Sequence, residues 1–389
     1  MKIIRNPRVG GMQCIRCDRM YHFDDFFEGC PVCLQEGWPA SLKVRYTEFP
    51  RCVTEETLRD WLAYTGPVLG EGRTSVVDLP DLAHELGLAG LLVKNESSNP
   101  TGSHKDRMSA LIVQRAKEVG ASTVAVASSG NAGASVAAYA ALAGLQCVVV
   151  TMPEMSPNWR RACEMHGARL IATSTPDERW TLVAQKTRSG EWYPATNFII
   201  PPVGSNPMGV DGFRAIALEL FLQTKERPAT DIVVPTSRGD LMWGVAQGFI
   251  DLREAGLIGE IPRVHAAEPF PRISRILMEG DYRNTHDGKT AMVSIGGSTS
   301  TYQAVDAIRR TGGSAIPVDE KRALRDQSIL ARSGLYLELS SAAALSAARS
   351  LGAEEDASSR VVVCVGTSLG YKELAIFGEP LQPERVAAD

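Results

Sequence analysis

From Gly66 onward this 389-residue chain repeats one pattern, and that pattern sets its fold class. Short β-branched runs recur at 91–93, 123–127, 147–151, 169–173, 231–235, 264–267, 315–318 and 361–365. Segments with helical spacing lie between most of them. In 106–119, Met108, Leu111, Ile112 and Ala116 share one side, and 132–145 is rich in alanine. The runs are apolar throughout, as strands covered on both faces are. Interleaved with helices, they predict an α/β architecture with open parallel sheets. The proline-rich stretch around 193–207 interrupts the pattern. It is the expected crossing between a first α/β domain, 46–205, and a second, 206–389, with some chain exchange between the two. The tail after Pro380 is expected to fray.

Residues 1–45 differ. They hold Cys14, Cys17, Cys30 and Cys33 as CxxC, twelve residues, CxxC. Two such knuckles supply four thiolates to one tetrahedral Zn²⁺, and iron fits the same ligands. With every ligand position filled, no place remains for substrate, so the metal would stabilise a small zinc-ribbon domain without doing chemistry. The segment carries seven Lys/Arg against five Asp/Glu and the whole chain a net charge of -4, which argues against nucleic acid as a partner. Cys52, Cys147, Cys163 and Cys364 are scattered, unlike a secreted disulfide framework. No run is apolar for the ~18 residues of a membrane helix, and the N-terminus lacks a signal-peptide core. A cytoplasmic protein is the expectation.

Two segments carry chemistry. In NPTGSHKDR (99–107) a turn leads into a helix, so Lys105 sits at a helix N-terminus, where the dipole disfavours its charge. Partial burial would lower its pKa further, as imine formation with an aldehyde requires. An exposed lysine at a helix start has the same local sequence. In SSGNAG (128–133) a strand runs into a helix through small residues. Backbone N–H groups there would bind an anion, and Asn131 offers a neutral amide.

Together these segments resemble the fold-type II pyridoxal phosphate (PLP) enzymes, the group of tryptophan synthase β, and within it the threonine synthase family. NPTGSHKDR is similar to the threonine synthase motif, with His104 in place of Phe. LGEGRTSVVDL (69–79) looks like the entry segment of that family, several members of which carry an N-terminal cysteine ribbon. The resemblance implies two open parallel-sheet domains behind a small zinc ribbon, PLP as cofactor, a homodimer and a small amino acid as substrate. It assigns Lys105 to the Schiff base and to proton transfer at Cα, Asn131 to the cofactor O3′, and Ser128, Ser129 and Gly130 to the substrate carboxylate. The family's glycine-rich phosphate loop falls on TSRGDLMWGVAQGF (236–249), where Ser237, Arg238, Gly239 and Asp240 remain to hold the phosphate, Asp240 turned away as an N-cap. In GTSLG (366–370), Thr367, with Ser368 as the alternative, faces the pyridine nitrogen. Glu338 either faces the site or is a helix-start carboxylate. Near the substrate the chain departs from the family: Arg160-Arg161 stand where lysines are usual, and SNPMGVDGFR (205–214) lacks the arginine after its proline. The hydroxyl-rich 294–302 is a candidate side-chain pocket. The expected activity is a threonine synthase-like lyase. The alternatives are a deaminase or β-replacement enzyme of the same fold, or a zinc-ribbon binding protein without catalysis.

Overall fold

The structure, a computed structural model, describes residues 3–66 and 69–373. The tail expected to fray lies outside the described residues. The first strands form a small antiparallel unit: β1 (Val9–Cys14) at its centre, flanked by β2 (Met20–Tyr21) and β3 (Leu42–Tyr46). A five-residue helix, Pro31–Gln35, follows Cys30.

The body holds two sheets. One is six-stranded, built from β4 (Val76–Asp78), β5 (Gly90–Asn95), β10 (Asp231–Pro235), β11 (Arg263–Glu268), β12 (Ala315–Pro317) and β13 (Val361–Gly366), in the order β12-β11-β10-β13-β5-β4. The other is four-stranded, built from β6 (Thr123–Ala127), β7 (Gln146–Thr151), β8 (Arg169–Ala172) and β9 (Tyr193–Pro194), in the order β8-β7-β6-β9. Every pairing in them is parallel except β4 with β5, an antiparallel edge. All eight β-branched runs of the sequence are strands. Val361, Val362, Val363 and Val365 are all buried, as strands covered on both faces demand. Sheet membership crosses the 205/206 division, because β4 and β5 join a sheet otherwise made of the later strands.

The alanine-rich helix Asn131–Ala143 packs on the helix Lys105–Glu118. Small side chains let them approach closely enough for Ser109 Oγ and Ser135 Oγ to share a hydrogen bond of 2.7 Å. The cysteine unit touches both halves of the body. On one side Arg283 stacks 3.7 Å from the Trp38 ring centroid, and Tyr282 donates to Pro39 O at 3.1 Å. On the other, Asp25 pairs with Arg115 at 3.1 Å and accepts from Tyr193 Oη at 2.9 Å. Among the described residues no helix is long and apolar enough to cross a membrane.

Candidate functional site

The carboxyl ends of strands from both sheets open on one cavity of about 560 Å³. Lys105, Ser128, Ser129, Gly130, Asn131, Ser237, Arg238, Gly239, Asp240 and Thr367 all line it, so segments far apart in sequence meet at this cavity.

The turn before Lys105 is built by its neighbours. Asn99 donates to Glu96 O and Oε2, both at 2.9 Å, and Gly102 N–H closes the turn on Asn99 O at 2.7 Å. Asp106 accepts from Thr101 N–H and Ser135 Oγ at 2.6 Å each and from the Thr101 hydroxyl. Arg107 is clamped between Glu96 and Glu219 at 2.6–2.8 Å in a buried ion network that also takes in Lys94. With its neighbours so engaged, Lys105 opens the helix and lines the cavity. Burial holds its pKa below the ordinary lysine value; Asp240 and Glu338 oppose that shift and Arg238 adds to it. His104, in the place of the family's Phe, packs as an aromatic 5.5 Å from Phe213. Its N–H donates to Thr367 O at 2.9 Å, and its Nδ1 lies 3.1 Å from the same oxygen. Burial first, then the charge of Lys105, hold its imidazole well below its usual pKa.

Asn131 opens the next helix with its amide orientation fixed. Nδ2 donates to Glu338 Oε2 at 3.0 Å; Oδ1 accepts from Lys372 Nζ at 2.8 Å and Ser368 Oγ at 3.0 Å. Ser368, thus engaged, does not line the cavity, whereas Thr367 does, its hydroxyl 2.6 Å from Ser341 Oγ. Glu338 stands at a helix start and faces the cavity, so both of its readings hold. Burial raises its pKa to about 7.

The 236–241 loop is shaped by two residues. Gly239 adopts φ +116, and a Cβ there would lie 2.7 Å from Ala304 N, so this glycine cannot be replaced without strain. Arg272, fully buried, donates to the carbonyls of Thr236 at 2.9 Å and Ser237 at 2.8 Å, so both oxygens are engaged within the loop's own support. Gly239 and not Asp240 is the helix N-cap, a correction to the expected arrangement: Asp240 is the first helical residue. Its carboxylate accepts from Ser205 N–H and Oγ at 2.9 Å each, beside the same cavity. Arg238 lies over the Trp180 ring at 5.4 Å, and its Nε is buried with no partner among the described residues.

On the substrate side the structure places three segments as follows. Arg160 and Arg161 are exposed and away from the cavity, Arg160 pairing with Glu164 one helical turn on; Trp159 lines the cavity instead. Asn206 caps a helix by accepting from Met208 N–H at 3.0 Å. Of the hydroxyl-rich segment, Ser294 reaches the cavity, whereas Thr301 bonds Arg238 O at 2.8 Å. Arg179, Arg272, Ser341 and Lys372 went unforeseen, since none lies in a patterned motif.

In the cysteine unit, all four Sγ atoms lie within 4.8 Å of one another. Tyr21 Oη is 3.2 Å from Cys30 Sγ, and Arg16 Nη1 is 3.6 Å from Cys33 Sγ.

A family model described as pyridoxal-phosphate dependent enzyme matches residues 68–367. Threonine synthase of Methanocaldococcus jannaschii is 30% identical over 93% of this chain and 92% of that protein. Threonine synthase of Methanosarcina acetivorans is 29% identical over 92% of this chain and 90% of its own. Among solved structures, O-ureido-L-serine synthase superposes with a TM-score of 0.64 at 23% identity, covering 84% of this chain and 95% of the other. Maize serine racemase superposes with a TM-score of 0.66 at 20% identity, covering 78% and 91%. At those identities the structural likeness concerns the fold.

Proposed function

The chain belongs to the family of pyridoxal-phosphate dependent enzymes, and from that premise we propose a division of labour among the residues of its cavity. It is a PLP-dependent lyase of the threonine synthase kind. The reaction assigned here is elimination from a small amino acid, with addition of water or another nucleophile as a second step.

The donor set suits the cofactor. Arg238 Nε is buried without a protein partner among the described residues. The Thr236 and Ser237 carbonyls are held by Arg272, and a helix starts at Asp240, where the macrodipole favours an anion. Ser237, Arg238, Gly239 and the Asp240 backbone would hold the phosphate, Lys105 the aldehyde carbon, Asn131 the ring hydroxyl and Thr367 the ring nitrogen. When bound, the cofactor supplies an electron sink for charge developing at the substrate Cα. Lys105, its pKa lowered by burial, takes and returns the proton there. Ser128, Ser129 and Gly130 hold the substrate carboxylate. A neutral hydroxyl at Thr367 leaves the ring nitrogen unprotonated, which favours elimination and replacement over transamination. Cys14, Cys17, Cys30 and Cys33 hold a structural zinc, and the assembly is a homodimer.

The observation that carries this reading is the convergence of Lys105 with the 128–131 loop, the 237–240 loop and Thr367 on one cavity. A second reading, a deaminase or β-replacement enzyme, is favoured by the exposure of Arg160 and Arg161, the basic pair nearest the family's pattern for a substrate phosphate. The reading without catalysis loses its ground once the chain is placed among these enzymes. Phosphohomoserine and a panel of amino acids with β or γ leaving groups, scored by mass spectrometry, decide between the other two. Threonine and phosphate at a kcat/KM on the order of 10⁴ M⁻¹s⁻¹ or better establish threonine synthase. A 2-oxo acid and ammonia, or a β-substituted product from another amino acid, establish the second.

A further inference from the structure

Two guanidinium groups line the cavity without an ion-pair partner among the described residues, and only one of them belongs to the cofactor loop. The other is Arg179. Thr175 caps the helix Pro176–Arg188 by accepting from Glu178 N–H at 3.2 Å, and this start sets Arg179 against the cavity. Arg179 Nη1 reaches Ser129 Oγ at 3.4 Å, and Thr151 Oγ1 steadies the same hydroxyl from 3.0 Å. Arg179 Nε is buried and has no partner among the described residues. None of the carboxylates that line the cavity pairs with it: Asp240 accepts from Ser205 and Glu338 from Asn131, and Glu154 makes no contact with Arg179 among the described residues. Burial first, then the charge of Arg238, hold the Arg179 pKa below its ordinary value.

The cofactor phosphate accounts for Arg238 and leaves Arg179 unmatched. We infer that Arg179 is a specificity-determining residue that binds the α-carboxylate of the substrate, adding a charged fork to the Ser128–Gly130 loop. The inference rests on the reading of that loop as the carboxylate site. Backbone N–H groups and hydroxyls alone make neutral contacts there; a guanidinium makes charge-assisted, bidentate ones. The one polar contact of Arg179 among the described residues is to a member of that loop, which directs the fork to the α-carboxylate in preference to a side-chain acid.

The test titrates PLP-loaded enzyme with L-serine, L-serinamide and O-phospho-L-serine, following the absorbance change of the bound cofactor. Wild type is expected to bind L-serine in clear preference to L-serinamide. Arg179→Gln is expected to raise the Kd for L-serine about tenfold to a hundredfold, to leave L-serinamide nearly unchanged and to keep the parent affinity for PLP. Arg179→Lys retains part of the preference, which separates loss of charge from loss of fold. Three results overturn the inference. One is a change confined to the ratio of O-phospho-L-serine to L-serine, which would assign Arg179 to a side-chain anion. Another is weakened PLP with unchanged L-serine binding. The third is a wild-type spectrum indifferent to L-serine up to its solubility, since a preformed fork for the bare α-carboxylate must hold any L-amino acid. A wild-type protein that takes up no PLP instead overturns the cofactor reading, and this inference falls with it.

Discussion

Arg272→Met tests how the cofactor loop is held. Arg272 is fully buried, and its guanidinium donates to Thr236 O at 2.9 Å, Ser237 O at 2.8 Å, Ile295 O at 3.2 Å and Gly297 O. The nearest carboxylate, Glu268, is occupied by the N–H groups of Arg272, Ile273 and Ser274 at 3.1, 2.6 and 3.1 Å. Burial pushes the guanidinium pKa down to about 10 despite Glu268, so keeping this charge is costly and the carbonyl bonds offset the cost. Methionine fills much of the stem but offers no donor. Each charged bond contributes roughly 1.5–3 kcal/mol, and relief of the buried charge returns part of the total. A net loss of about 3 kcal/mol, two orders of magnitude in the folding equilibrium, is the expectation. Urea unfolding of the apoprotein measures it. Titration with PLP should then show at least about tenfold weaker binding, because freed carbonyls can turn toward the phosphate. A variant within about 0.5 kcal/mol of the parent, with parental PLP affinity, would refute the argument.

Four further outcomes follow from the site. Lys105→Ala should abolish both turnover and the cofactor fixed by borohydride reduction; normal turnover would sink the central assignment. Purified protein should carry about one zinc per chain, and Cys33→Ser should lower stability more than it alters the cofactor absorbance. Absence of both zinc and iron would remove the metal's role. Glu338 has a folded pKa raised by burial to about 7 from its ordinary 4.5, so the folded state binds the proton more tightly than the unfolded one. Stability is therefore lost as pH rises from 4.5 to about 7, and Glu338→Gln should lack that loss; superimposable pH profiles would contradict it. Arg238→Ala should weaken PLP binding by about one to two orders of magnitude, whereas unchanged PLP affinity with a raised substrate KM would move Arg238 to the substrate side.

What could be read in the sequence was what repeats or stays local. The strands at 123–127 and 231–235 have the bounds their apolar runs predict, because burial on both faces leaves a continuous signal. The turn at 99–102 was legible for the same reason, and the helix starts, read at Asp106 and Ala132, fall one residue earlier, at Lys105 and Asn131, since glycine, proline and small residues punctuate the chain locally. β9 was hidden: two residues among prolines carry no periodicity, and only its neighbour β6 makes Tyr193–Pro194 a strand. The antiparallel edge β4 was hidden too, its two valines ending at once on the charged Asp78. Arg179, Arg272 and Lys372 were out of reach for a different reason. Each acts on a partner far along the chain, and a lone cation in an unpatterned segment reads as surface until the fold supplies the partner.

The position of β13 bears on how the protein is made. Val361–Gly366 lies between β10 and β5 and delivers Thr367 to the cavity, yet it is the last strand among the described residues. On a ribosome adding ~5–20 residues per second, β5 therefore waits on the order of tens of seconds for its central neighbour. The four-stranded sheet is complete once Pro194 has emerged and can condense early. The six-stranded sheet meanwhile keeps two half-sheets with unpaired edges, a surface that holdase chaperones cover and that strand-to-strand aggregation exploits. A nascent chain stalled anywhere between 235 and 361 should accordingly contain one protease-resistant half and one labile half.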